Sequence, residues 1–212
     1  MSFRQKLVGL GISTEAYLRS EFSTFERDDL FQISSWRRAL KIFSWWAIPA
    51  MFFVLGVENY ASDVEFFNDA MREGIGPNLW NLMGALGLVV FALAIVFPNM
   101  STLASYANQV FESTFAVGCL TLGLLIGQYV FLVAQEGMVW WERGLFGVFG
   151  GWLLLLVFTL NCVIWFLSSL TKQQDKVKNR FLVKVEKKHW LWRSTISLFL
   201  LAVTFSMLYL ET

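Results

Sequence analysis

The chain has 212 residues, of which 56% are hydrophobic and 16% charged, and its formal net charge is +1. Soluble domains carry about 25% charged residues, and the charges here are absent from long windows and crowded into others. No basic domain is left for a nucleic acid. The segregation is what a bilayer imposes, since a charge at mid-membrane costs at least about 2.5 kcal/mol.

The head, residues 1–39, is polar and amphipathic. Phe3, Leu7 and Leu10 form a short apolar start that ends near Gly9 and Gly11. Ser23 and Glu26 have the spacing of a capping box. The helix they open carries Phe25, Ile33, Trp36 and Leu40 among charged residues. That pattern predicts an interfacial amphipathic helix leading into the first span. The head is too polar for a secretory apolar core, so no cleavable signal is expected.

Residues 40–212 then contain five apolar windows: 40–57, 78–97, 113–134, 145–167 and 194–210. Crossing the hydrocarbon takes about 20 helical residues, with a range of about 17–25. The first and last windows are short and depend on snorkelling by Lys41 and local thinning of the bilayer. Helices apolar on all sides also occur in large soluble cores, but a chain of 212 residues is too small to hide five of them. The expected fold is therefore all-α: a polytopic membrane protein with five transmembrane helices.

Lysine and arginine set the orientation. Residues 1–41 hold Arg4, Lys6, Arg19, Arg27, Arg37, Arg38 and Lys41, and the connection 168–193 holds Lys172, Lys176, Lys178, Arg180, Lys184, Lys187, Lys188 and Arg193. The connections 58–77 and 135–144 hold one each, Arg72 and Arg143, and the connection 98–112 holds none. Cytoplasmic segments are the ones enriched in these residues. The N-terminus is therefore expected inside and the C-terminus outside, in a plasma or inner membrane. Trp36, Trp80, Trp140, Trp141, Trp190 and Trp192 fall at span ends, where amphipathic rings are favoured. The acids Glu58, Asp63, Glu65, Asp69 and Glu73 cluster in the outer connection as a solvated helix face, or as a weak cation site.

Within the spans, Gly123 and Gly127 form one GxxxG pair and Gly147 and Gly151 another. Small residues at this spacing let helix backbones approach closely. Gly127 and Gly151 come to similar depths, so packing of span three on span four is expected, with homo-oligomerisation as the alternative. An intramembrane polar cluster, Cys119, Thr121, Thr159, Asn161 and Cys162, lies toward the cytoplasmic side, and Asn81 and Gln128 form an outer pair. Each needs a hydrogen-bond partner on another helix, so packing is expected first and a polar pathway second. Cys119 and Cys162 are expected to approach each other across the contact of spans three and four. Pro49 is expected to kink span one. The cationic residues of 168–193 suit anionic headgroups or a cytoplasmic partner.

No acid or base falls in a predicted mid-span, His189 is the single histidine, and CxxC, HExxH and phosphate-loop motifs are absent. No catalytic residue, metal or cofactor is expected. These features point to a non-enzymatic accessory, assembly or anchoring subunit of a membrane complex, in contact with another membrane protein or with itself. The alternative is a small oligomeric transporter or channel for an uncharged or weakly charged solute. A membrane enzyme ranks third, because its catalytic groups would have to come from loops with few candidates.

Overall fold

The computed structural model describes residues 33–61, 63–66, 77–134, 139–172 and 180–209. The interfacial helix and capping box of the head, most of the acidic outer connection, Lys176 and Lys178 lie outside them. Six helices form the described part: α1 (Ile33–Tyr60), α2 (Pro77–Val96), α3 (Ser101–Ala134), α4 (Trp140–Thr171), α5 (Arg180–Lys187) and α6 (Trp190–Tyr209). Four of them, α1 to α4, are long and apolar enough to cross a membrane, as a membrane protein requires. The apolar run of α6, Trp190–Ser206, is shorter at 17 residues. The fifth predicted span is thus a helix of the right character but marginal length.

Local sequence explains the ends. Pro77 opens α2, where its missing N–H costs no helical bond, and Pro98 follows the last turn, where it disfavours helix in the residue before it. Phe97–Met100 is a tight turn, with the Met100 N–H donating to the Phe97 carbonyl at 3.0 Å. The Glu142 carboxylate accepts the Val139 N–H at 3.1 Å at the start of α4, and His189 Nδ1 accepts the Leu191 N–H at 3.3 Å at the start of α6. Pro49 sits inside a continuous α1.

One boundary differs substantially from expectation. Residues 98–112, predicted to be a cytoplasmic connection, are mostly the first three turns of α3, a helix of 34 residues. The physical reason is an amphipathic repeat: Ala104, Ala107 and Phe111 are buried, while Ser105, Tyr106 and Gln109 are exposed. A hydropathy average sees only the mixture.

The chain divides into two units, Met1–Ala39 and Leu40–Thr212. Of the first, only the opening turns of α1 are described. In the second, α3 is the central strut. Along α2 the contacts run antiparallel to α3, with Gly87 against Phe111, Gly84 against Thr114 and Trp80 against Gly118. Along α4 they are also antiparallel, with Ser168 bonded to Asn108 and Tyr129 to the Gly147 carbonyl. α1 runs parallel to α3, Ala47 lying at Gly123 and Val54 at Gly127. Ala50, Val54 and Val57 of α1 close a small core with Leu124, flanked by Leu120 and Ala61. α6 packs along α2, and its Arg193 donates from Nη1 to the Val96 carbonyl at 3.4 Å. α5 buries Leu182 and Val185 and stacks Phe181 on Phe91, with centroids 6.2 Å apart.

Candidate functional site: a polar seam through α2, α3 and α4

Asn161 is the centre of the seam. It is a fully buried amide on α4, 2% exposed. Its Nδ2 donates to the Phe115 carbonyl at 3.3 Å and to Cys119 Sγ at 3.4 Å, both on α3. Its Oδ1 faces Gly118 of α3, and Trp80 Nε1 of α2 faces the same glycine, 2.7 Å from where a Cβ would stand. Gly118 is therefore the point at which three helices converge, and only a hydrogen fits there. Neither Oδ1 nor the Trp80 N–H has a hydrogen-bond partner among the described atoms. One turn away, Phe115 packs against Trp165 with centroids 4.8 Å apart. Further along the same contact, Ser168 Oγ donates to Asn108 Oδ1 at 3.1 Å.

The predicted cluster is thus partly gathered. Asn161 and Cys119 touch, and Cys162, next in chain to Asn161, is a half-buried free thiol. Thr121 and Thr159 instead donate to carbonyls of their own helices, Val117 at 3.0 Å and Leu155 at 2.7 Å. Asn81 and Gln128 are both half-buried but are not brought together. With Trp80 beside Gly118, Asn81 stands about ten residues, or about 15 Å of helical rise, below Gln128.

The glycines also divide. Gly123 and Gly127 lie against α1, not α4: Ala47 Cα is 2.7 Å and Val54 Cβ 2.8 Å from their respective Cβ positions. On α4 it is Gly150 that packs tightly, 2.5 Å from Tyr129 Cε2, with Gly147 in ordinary contact with the Tyr129 hydroxyl. Gly144 and Gly151 have nothing within 4 Å. Sequence spacing missed this, because a GxxxG pair names a face but not its partner. Asn108 and Gly118 were missed too. Asn108 was assigned to a loop, and a lone glycine carries no spacing signal.

Among the cationic residues, Lys187 is exposed and Lys184 half-buried on α5, Lys188 is exposed just past its end, and Lys172 is exposed at the end of α4. Of Arg180 only the backbone is described, at the start of α5. Lys188 Nζ lies 5.9 Å from the Trp192 ring centroid, within cation–π range. Among the described residues, no group of three or more His, Cys, Asp or Glu is placed to hold a metal ion. Chemically, the seam joins helices: amide and hydroxyl bonds run from one helix to the backbone or side chains of the next. Comparison with protein family models, curated proteins and solved structures finds no match.

Proposed function

We propose that the chain is a five-span integral membrane protein, with its N-terminus cytoplasmic and its C-terminus outside, that acts as a non-enzymatic accessory, assembly or anchoring subunit of a membrane complex. The observation that carries this reading is the outer surface of α4. Val148, Phe149 and Trp152 are 71%, 69% and 68% exposed, and the face formed by Gly144, Val148, Gly151 and Leu155 has no neighbour at either glycine. Small residues two turns apart on one face of an apolar helix leave room for a second helix backbone. The partner is another membrane protein or a second copy. On the cytoplasmic side, Lys172, Lys184, Lys187 and Lys188, with Trp190 and Trp192 beside them, meet anionic headgroups, at about 1 kcal/mol per cation near the surface.

Purification in mild detergent after cross-linking in the membrane tests the reading. Stoichiometric association through α4, lost on Gly151→Leu, supports it, and a monomer both in the membrane and in detergent refutes it. Reporter fusions at the two termini test the topology, which fails if both report the same side.

A second reading, the small oligomeric transporter or channel for an uncharged or weakly charged solute, is favoured by a different observation, the exposed polar side of α3 before Thr114.

A further inference from the structure

One side of α3 changes character along its length. Leu120, Gly123, Leu124 and Gly127 form the side that meets α1. Thr102, Ser105, Tyr106 and Gln109 stand eighteen residues before them, about five full turns, and so lie on the same side. All four are exposed, as is Ser113. Glu112, half-buried, stands beside this polar stripe at its far end.

The neighbours on either side disagree about where hydrocarbon begins. Trp80 meets Gly118, Gly84 meets Thr114 and Gly87 meets Phe111. At equal rise, Leu93 then stands level with Ser105, and Leu86 level with Glu112. Leu86 and Leu93 are exposed, 48% and 38%, on a helix with no charge, so that side of the bundle needs lipid at this height. On the opposite side Ala47 meets Gly123, so Lys41 stands near Val117 and the apolar run of α1 begins only there. Below it, Thr102, Ser105, Tyr106 and Gln109 of the polar stripe are exposed. The Tyr106 hydroxyl and the Gln109 amide, too long for the back-bond that serine and threonine make to their own helix, would go unpaired against hydrocarbon at a cost of several kcal/mol per group.

We propose that this side of α3 is the wall of an aqueous recess. It opens on the membrane face at Thr102 and reaches about 15 Å, from Thr102 to Glu112, to the height of the middle of α2. Its occupants are water and small hydrophilic molecules. Lys41 at its upper edge and Glu112 at its head carry opposite charges, so it suits uncharged or zwitterionic solutes over ions. The recess rests on the chain spanning the membrane and is independent of whether it is a subunit of a complex.

The test is labelling of single cysteines by a small membrane-impermeant thiol reagent, in inside-out membrane vesicles, with Cys119→Ser and Cys162→Ser as background. Ser105→Cys and Gln109→Cys are compared with Leu86→Cys and Leu93→Cys at matching heights, and with Lys187→Cys as the solvent reference. All five positions are exposed, so a thiol there displaces no packed atom, and elution of each variant confirms folding. The expected result is labelling of Ser105→Cys and Gln109→Cys near the reference rate, with Leu86→Cys and Leu93→Cys slower by about a hundredfold or more, the partition penalty of a charged reagent in hydrocarbon. If Ser105→Cys and Gln109→Cys are as slow as the α2 positions, lipid, a second copy or another part of the chain covers the stripe and the recess is overturned. If all four label at the reference rate, the spanning reading itself is overturned.

Discussion

Gly123→Ala and Gly151→Ala make a matched pair of methyl additions to apolar helices, and the structure gives them opposite signs. At Gly123 the new Cβ meets the carbonyl oxygen of Ala47, with Ala47 Cα at 2.7 Å and its carbonyl carbon at 2.8 Å. These are backbone atoms of α1 and cannot rotate away. Forcing a methyl into a packed contact costs about 1–3 kcal/mol, and an obstacle made of backbone places the cost in the upper part of that range. Replacing glycine by alanine in a helix returns up to about 1 kcal/mol. The net loss is about 1–2 kcal/mol, which for a chain of this size lowers the midpoint of thermal unfolding by about 2–8 °C. At Gly151 nothing lies within 4 Å. Only the propensity gain applies there, and the midpoint stays or rises by up to about 4 °C. Thermal unfolding of the purified protein in detergent, followed by tryptophan fluorescence, reads both. Equal losses for the two variants, or a larger loss at Gly151, would refute the assignment of Gly123 to the α1 contact. Ala47→Gly is expected not to rescue Gly123→Ala, because the obstructing atoms are not in the side chain.

Two further outcomes follow from the α3–α4 contact. Gly150→Ala meets the Tyr129 ring, 2.5 Å at Cε2 and 2.7 Å at Cδ2. A ring can swing aside, so the loss is about 1 kcal/mol, and Tyr129→Ala in the same chain should abolish that increment in a double-mutant cycle. Asn161→Leu should change stability by less than about 1.5 kcal/mol, because the Phe115 carbonyl also serves the helix ladder. Asn161→Asp should cost at least about 2.5 kcal/mol by burying a carboxylate between helices, and unfolding midpoints that rank Leu below Asp would contradict that order.

Much of the helical layout was legible because segregation of charge is a property of long windows. Asn78–Val96 matches the predicted window 78–97 to within one residue, and Trp140–Thr171 contains the window 145–167 and extends beyond it at both ends. Residues 98–112 were misassigned for a physical reason. Their buried side within α3, Ala104, Ala107 and Phe111, is made of three residues a helical turn or so apart, while Thr102, Ser105, Tyr106 and Gln109 on the exposed side are hydroxyls and an amide. Removal of charge marks a span, but partial burial of a polar helix against α2 leaves no such mark. The seam was half legible. An amide in an apolar window demands a partner, which singled out Asn161, but the identity of that partner depends on register, and register is set by where Gly118 lets Trp80 and Asn161 approach. Glycine spacing likewise marked Gly123 and Gly127 as a packing face without distinguishing α1 from α4.

The two functional readings place the work on different surfaces, and this makes them separable in one protein. Association through α4 involves Gly151, which has nothing within 4 Å of its Cβ position among the described residues. Solvent entry along α3 involves Gln109, which is exposed on the other side of the strut from α2. A leucine at either position meets open space, so neither substitution is expected to unfold the bundle. Gly151→Leu should abolish cross-linking to a partner helix and leave the labelling of Ser105→Cys unchanged, because the two positions share no contact and effects at independent sites add. Gln109→Leu should slow the labelling of Ser105→Cys, one turn away, and leave association intact. Loss of both properties from either single substitution would mean that the α3 stripe is itself buried in the oligomer, with the partner and not water completing its hydrogen bonds.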